Sequence, residues 1–423
     1  MCEKRKSTVV SRLILLANSF PYGEQEPYLL NEVRHYASID EVIIFSLSVR
    51  RHQRGSAREL PIANIKVVPI YFRSNLFYIL NAFRLATSPG FRRELMQLGF
   101  QRMLTAKRVI RAAGHYARAE YEAHVIRSYL RKKVEVDFRD ETVLYAYRFL
   151  YQPYLAGRVK SLFPKAKIVG RAHGIDLYED RSSQNYLPGR RENLGQIDEL
   201  HLVARHGHDY LTDRYPAFRE KMKVSYLGTV DYGKRETTKF GCPLRLVSCS
   251  SLVAVKRVTL LAEALRLIPS HLSVEWVHYG DGDQFSDLRS IVDALPSNVQ
   301  VKLMGWVEND RIIQAYREGK HDVFVNVSSS EGLPVSIMEA SSFGLPSIAT
   351  NVGGVSEIVE HLRTGILLSA NPEPDEIAQS ILKFASMEPE NYETMSVASR
   401  QCWEQKFNSH NNYKEFVGGL FDG

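Results

Sequence analysis

The stretch Val323-Phe324-Val325-Asn326-Val327-Ser328-Ser329-Ser330-Glu331-Gly332-Leu333-Pro334-Val335-Ser336-Ile337-Met338-Glu339-Ala340 reads as one strand, one turn and one helix in succession. Its first five residues form a short apolar, β-branched run, the composition of a parallel strand buried on both faces. Serines, a glycine and a proline then mark a turn. Pro334 suits the first helical position, where its missing N–H has no partner to lose, and the helix should end near Gly344. A turn that runs from a strand into a helix N-terminus presents backbone N–H groups at the positive end of the helix dipole, and such a turn holds phosphate without any side chain. Glu331 lies just before this helix. Glu339 lies five residues into it, roughly 8 Å further along the axis at ~1.5 Å per residue.

A carboxylate on either side of a phosphate site matches the shape of a sugar nucleotide, in which a diphosphate separates a hexose from a ribose. Carboxylates accept hydrogen bonds from vicinal hydroxyls, so Glu331 would face the hexose and Glu339 the ribose. The same spacing also describes a helix with one capping and one solvated glutamate. Spacing alone leaves both readings open.

Outward from this unit the same alternation of short β-branched runs and longer amphipathic stretches covers almost the whole chain, the pattern of βα units on parallel sheets. Strands are expected at 13–17, 41–47, 65–71, 142–147, 167–171, 199–203 and 224–227, and again at 245–249, 274–278, 299–304, 323–327, 346–349 and 365–368. With 423 residues, 44% of them hydrophobic, two domains are expected, each a doubly wound Rossmann-like sheet. Residues 1–228 form the first and 244–402 the second, with a glycine-bearing linker at 229–243. Between 75 and 133 the strand rhythm pauses for a helical insertion, interrupted at Ser88-Pro89-Gly90, with Val109, Ile110, Ala113, Tyr116, Ala117 and Tyr121 at helical spacing.

Charge is unevenly placed. The chain carries a net +7, yet residues 91–133 alone hold eleven cations against three acids, leaving the remainder near neutral. This basic insertion is either an ordinary solvated face or a surface that meets anionic lipid headgroups. No base-reading motif accompanies it, so nucleic acid is not expected as a partner. The four cysteines, Cys2, Cys242, Cys249 and Cys402, show no metal-ligand spacing and read as reduced thiols of a cytoplasmic protein. The longest N-terminal apolar run, 13–17, is too short for a signal peptide.

The motif Glu331 to Glu339, written EGLPVSIME and followed by ASSFGLPSIATNVGGVSEIV, resembles the nucleotide-sugar site of retaining glycosyltransferases of the GT-B fold, family 4 (group 1), over roughly 244–368. That resemblance implies two facing Rossmann-like domains, with residues 403–423 as a last helix crossing back to the first, bearing aromatics such as Trp403, Phe407, Tyr413 and Phe416. It implies a UDP- or GDP-sugar donor with donor contacts from Gly332, Leu333 and Pro334. It also implies an Arg and a Lys five residues apart on the diphosphate; Lys256 matches the lysine, Ser251 stands at the arginine's place, and the adjacent Arg257 is the candidate replacement. His278-Tyr279-Gly280-Asp281-Gly282 resembles the family's Gly-x-Gly turn, and Asp281-Gly282-Asp283 falls inside it, so no metal is expected. Gly305-Trp306-Val307 resembles the loop that meets the base, with a buried Trp at a strand end as the other reading.

In the first domain Arg171-Ala172-His173-Gly174-Ile175-Asp176 resembles the family's His-x-x-Asp. His173 would contact the donor sugar, while Asp176 would place the acceptor or orient its loop. Near the start, Tyr22, Gly23 and Glu26 follow Phe20-Pro21, a loop expected beside donor and acceptor. The family further implies a saccharide acceptor on a lipid carrier, in surface polysaccharide assembly. Glu331, Lys256 and His173 are thus the expected catalytic set. A nucleotide-sugar epimerase on this fold, or an inactive nucleotide-sugar-binding or membrane scaffold subunit, remains as an alternative.

Overall fold

A computed structural model describes residues 9–23, 26–80, 82–134, 139–236 and 240–422; Cys2 and linker positions 237–239 lie outside them. The chain divides into two compact units. The first comprises Met1–Val203, Gly207–Ser225 and Tyr413–Gly423, the second Ala204–His206 and Tyr226–Asn412.

The first unit holds a seven-stranded sheet: β1 (Ser11–Ala17), β2 (Glu41–Val49), β3 (Ile65–Tyr71), β4 (Glu141–Ala146), β5 (Lys167–Ala172), β6 (Glu199–Leu202) and β7 (Met222–Val224). Its order is β3-β2-β1-β4-β5-β6-β7, parallel throughout. The strands are apolar on both sides because both faces are covered. Ile14 and Leu16 of β1 enter one buried cluster with Ile43 and Phe45, while Leu13 and Leu15 enter another with Val42 and Ile44.

The second unit repeats the plan with β8 (Leu244–Cys249), β9 (Val274–Tyr279), β10 (Val299–Leu303), β11 (Val323–Asn326), β12 (Ser347–Thr350) and β13 (Gly365–Leu368), ordered β10-β9-β8-β11-β12-β13. Each sheet reverses its winding once, between β1 and β4 and between β8 and β11. Those are the places where a doubly wound sheet leaves a crevice at the carboxyl ends of its strands.

All thirteen expected strands exist, with one displaced. The strand expected at 224–227 is Met222–Val224, because it pairs rung for rung with β6, which ends at Leu202 opposite Val224. The helical insertion breaks at Ser88, whose hydroxyl accepts from Phe91 N at 3.3 Å to start the helix Pro89–Phe100. A 28-residue helix, Ala106–Lys133, follows, started by Thr105. Tyr116 and Ala117 are buried as expected, but Ile110 is exposed. No helix among the described residues is long and apolar enough to cross a membrane.

The C-terminal expectation needs correction. Trp403 and Phe407 belong to the second unit, because the Trp403 indole donates to Thr229 Oγ1 (2.7 Å) and Phe407 O accepts from Thr229 N (2.9 Å). The part assigned to the first unit starts at Tyr413. The 229–243 linker is also less free than its composition implies: Arg235 donates to Tyr392 Oη and Ser396 Oγ, and Phe240 stacks on Tyr392 with ring centroids 3.7 Å apart.

A buried ion pair ties the first unit together. Arg171 of β5 donates to Glu32 at 2.6 Å, both side chains being essentially inaccessible, and the guanidinium lies 4.5 Å from the Phe416 ring of the C-terminal segment. Removing one partner of such a pair strands a buried charge, which costs about 3–5 kcal/mol. Glu32→Ala should therefore speed hydrogen exchange at the amides of β1, β4 and β5. Protection in β8–β13 should stay as in the wild type.

Candidate functional site

In the second unit the loops after β8, β11 and β13 converge. Arg257, with a left-handed backbone (φ 49°), sends its guanidinium to Val327 O (2.7 Å), Ser328 O (2.9 Å), Ala370 O (3.0 Å) and Asn371 Oδ1 (3.2 Å). The residue expected to take the missing arginine's place on a diphosphate thus has its donors committed to the protein's own acceptors. Ser329 N donates to Val255 O at 2.8 Å, closing the same loops together. Ser251 is exposed.

This clamp sets Lys256 against Glu331. Nζ lies 2.7 Å from Oε1, and Asn326 Nδ2, from the end of β11, reaches the same oxygen at 3.3 Å. The sequence named both charges but gave them different ligands; that they meet each other depends on positions 75 residues apart. The backbone of Glu331 and Gly332 is shaped by a distant glycine pair. A Cβ on Gly353 (φ +57°) would come within 2.0 Å of Glu331 O, and Gly354 N donates to Gly332 O at 2.8 Å.

The helix itself is Val335–Ser342, so Pro334 is its cap and not its first residue. Its ψ of 111° is extended, and proline offers no side-chain acceptor for the first-turn amides. Leu333 is buried and Gly332 half-buried. Gly344, at φ +72°, follows the helix end.

Glu339 is half-buried and accepts from Asn309 Nδ2 at 3.1 Å. Burial pushes its carboxyl up to about 7, with the Asn309 hydrogen bond opposing. Asn309 opens the helix after Gly305-Trp306-Val307, so that loop leads directly to Glu339. Gly305 has φ +67° and its carbonyl accepts from Gly280 N at 2.8 Å. Trp306 is 70% exposed, which removes the buried-Trp reading. Val307 is half-buried. At Gly280 a Cβ would sit 1.8 Å from Ser250 O, so the Gly-x-Gly turn serves close packing on the loop after β8, as expected, and Asp281 accepts from Gly282 N within the turn. Among the described residues no three His, Cys, Asp or Glu side chains converge as metal ligands. Cys242, Cys249 and Cys402 are free thiols, and burial, with Glu339's charge, lifts Cys249 to about 12.

In the first unit, His173 follows β5 with its ring buried against Tyr147 (centroids 4.8 Å). Burial lowers its pKa, and both ring nitrogens lack a hydrogen-bond partner among the described residues, Nδ1 being 3.8 Å from Asp176 Oδ2. Asp176 orients the loops: it accepts from His173 N (2.5 Å) and Phe149 N (2.9 Å). Burial opposes its ionisation, but His173, Arg148 and the Phe149 amide outweigh that and hold its carboxyl below the usual range.

Glu26, expected on the acceptor side, turns inward instead. Its buried carboxylate accepts from the N–H groups of Asn18 (3.0 Å), Ser19 (3.0 Å) and Phe20 (3.1 Å), and Arg148 Nε lies 3.5 Å away. A left-handed φ of 54° at Glu26, costly for a non-glycine residue, is the conformation from which it does so. Tyr22 is half-buried and bridged to Ala57; at Gly23 (φ +67°) a Cβ would strike the Gln53 side chain. Nothing in the local pattern announced the Glu26 arrangement except an acid a few residues after a strand.

Residues 234–401 match the family model for glycosyl transferases group 1. The chain carries a group 1 glycosyltransferase domain. The amylovoran biosynthesis glycosyltransferase AmsK of Erwinia amylovora is 26% identical over 65% of this chain and 69% of its own length. WcaL of Salmonella typhimurium, named for colanic acid biosynthesis, is 23% identical over 58% of this chain and 61% of its own. Among solved structures, HepE of Anabaena in complex with UDP superposes with a TM-score of 0.67 at 15% identity, covering 98% of this chain and all of HepE. The chain therefore has the GT-B fold, and Lys256, Glu331 and Glu339 lie within the residues that match the group 1 model.

The Glu339 value has a definite pH consequence. A folded-state pKa raised from 4.5 to about 7 means the native state holds this proton more tightly than the unfolded chain. Its contribution to stability is complete below about pH 4.5 and is lost as pH rises through about 7. In denaturant titrations across that window, Glu339→Gln should flatten the wild-type decline. A profile unchanged by the substitution would refute the assignment.

Proposed function

We propose that the protein is a retaining glycosyltransferase that moves a sugar from a UDP- or GDP-sugar to a saccharide on a lipid carrier in surface polysaccharide assembly, without a metal ion, at the cytoplasmic face of a membrane. One observation carries the reading: Lys256 and Glu331 are paired just ahead of a helix whose first-turn amides have no side-chain cap, with Glu339 on that same helix. The names of AmsK and WcaL, and the UDP held by HepE, support it.

The chemistry follows from these groups. A donor diphosphate at the helix N-terminus draws the Lys256 ammonium onto its oxygens and frees the Glu331 carboxylate for the hexose hydroxyls. Glu339, ionised above about pH 7, accepts from the ribose, and exposed Trp306 offers a face to the base. As the bond from the anomeric carbon to the phosphate oxygen breaks, charge gathers on the leaving diphosphate, where Lys256 and the helix amides stabilise it. The acceptor hydroxyl attacks from the same face, and its proton passes to the departing phosphate oxygen. The roles of Glu331 and Lys256 are separable by experiment. Glu331→Gln should cut transfer by roughly 10²-fold or more with the fold intact, and Lys256→Ala should chiefly abolish the thermal shift given by nucleotide sugars. Wild-type rates in Glu331→Gln would overturn the assignment.

Membrane contact is proposed for the helical insertion on new grounds. Met96, Phe100 and Leu104 are exposed, Phe100 by 91%, beside solvent-facing Arg92, Arg102 and Lys107. Arg108 and Arg111, by contrast, donate to the carbonyls of Gln184 and Ser183. At about 1 kcal/mol per cation, reversing Arg92, Arg102 and Lys107 should weaken binding to phosphatidylglycerol vesicles by roughly 10²-fold or more. Unchanged vesicle binding would return the insertion to a plain solvated surface.

A further inference from the structure

A cavity of about 650 Å³ opens at the carboxyl ends of the neighbouring strands β2 and β3, lined by Arg51, Arg54, Tyr71, Phe72, Arg73, Ser74 and Phe77. A second of about 200 Å³, bordered by Arg50 and Arg118, shares Phe72 with it. Among the described residues neither lining contains a carboxylate. Among the described residues none of Arg51, Arg54 and Arg73 is paired with an Asp or Glu.

Two of the three arginines rest on rings. Arg54 stacks 4.6 Å from the Tyr71 ring and its Nε donates to the Tyr71 hydroxyl at 3.0 Å, which fixes the guanidinium's plane. Arg73 lies 5.5 Å from the Phe77 ring, and Phe77 is itself held edge-on against Tyr121 at 5.1 Å. A guanidinium placed on a ring keeps its outer N–H groups for a ligand and loses little freedom when one arrives. With Arg51, three cations border one cavity; they repel each other, and an anion relieves that repulsion. A single carboxylate brings one charge and two oxygens; a diphosphate brings two to three charges and enough oxygens for several forks. Leu76 (64% exposed) and Phe83 (70% exposed), on the segment that leads away from the cavity, favour a diphosphate that carries an apolar chain.

We propose that this cavity is a diphosphate site of the first unit, distinct from the donor diphosphate site in the group 1 domain, which takes the diphosphate of an acceptor carrier. It deepens the acceptor part of the function proposed above. In this arrangement Arg51 and Arg54 bind one phosphate edge, Arg73 another, and the aromatic floor borders the attached chain.

The test is calorimetric titration of the full chain, saturated with UDP, with inorganic pyrophosphate, farnesyl diphosphate and glucuronate. Arg51→Ala/Arg54→Ala should weaken both diphosphates by roughly 100-fold, tenfold or more for each guanidinium, and glucuronate should bind far less tightly. Arg73→Gln, a milder change, should weaken them too. Tighter binding of farnesyl diphosphate than of pyrophosphate identifies a lipid carrier as the source; equal affinity identifies the diphosphate group alone, and both results support the site. Diphosphate affinity indifferent to all three arginines, or glucuronate bound as well as pyrophosphate, overturns it. The nucleotide-sugar thermal shift separates the two readings. If that shift persists in the wild type while pyrophosphate binding ignores the arginines, only this site falls; if the shift is absent while arginine-dependent pyrophosphate binding remains, only the donor reading falls.

Discussion

A parallel strand spends its own N–H and C=O groups on its neighbours, but the loop that leaves its carboxyl end has amides with nothing to meet, and they must be satisfied or offered to a ligand. The two units solve this differently at equivalent places. In the first, where the winding reverses between β1 and β4, the amides after β1 are filled by the protein's own Glu26 carboxylate, with Arg148 after β4 beside it. Asp176 does the same for the loops after β4 and β5. In the second, at the reversal between β8 and β11, the helix after β11 begins with a proline that caps nothing. Internal carboxylates thus fill loop amides in the first unit, while in the second the helix after β11 starts without a side-chain cap.

The Lys256–Glu331 pair belongs to that difference. A partly buried ion pair contributes little net stability, because desolvation offsets much of the attraction, so its presence is better explained by what it can exchange. Two opposite charges held together are each available to a ligand that carries both an anion and hydroxyls. The Arg257 clamp on Val327 and Ser328 fixes where the pair sits.

What the sequence made legible was local. β-branched runs gave thirteen strands, because in a doubly wound fold each strand is buried on both faces and so is apolar throughout. The turn-to-helix step at Glu331 was visible for the same reason. What escaped it was long-range pairing of side chain with backbone. Arg257 reaches acceptors 70 and more residues away, Trp403 is fixed by Thr229 across 174, and Glu26 acts through a left-handed φ that no pattern signals. One edge strand was displaced as well: β7 ends at Val224, opposite Leu202, the last residue of β6. Trp306 was ambiguous because a large aromatic at a strand end is as fit for a core as for a face.

Net charge shows the same limit most plainly. Counting placed the excess in residues 91–133, yet that count mixes cations with opposite fates. Arg118 is drawn inward to Glu122 at 2.8 Å and to the Tyr151 ring at 4.6 Å, and Arg108 and Arg111 bind carbonyls, while Arg92, Arg102 and Lys107 face solvent. Meanwhile Arg50, Arg51 and Arg54 share the loop after β2, and the adjacency of β2 and β3 adds Arg73 to them. Potential at a surface depends on which charges converge and remain unneutralised, not on how many share a segment. Parallel pairing converts loops 20 residues apart into one rim, so it is the sheet order that decides where this chain is electropositive.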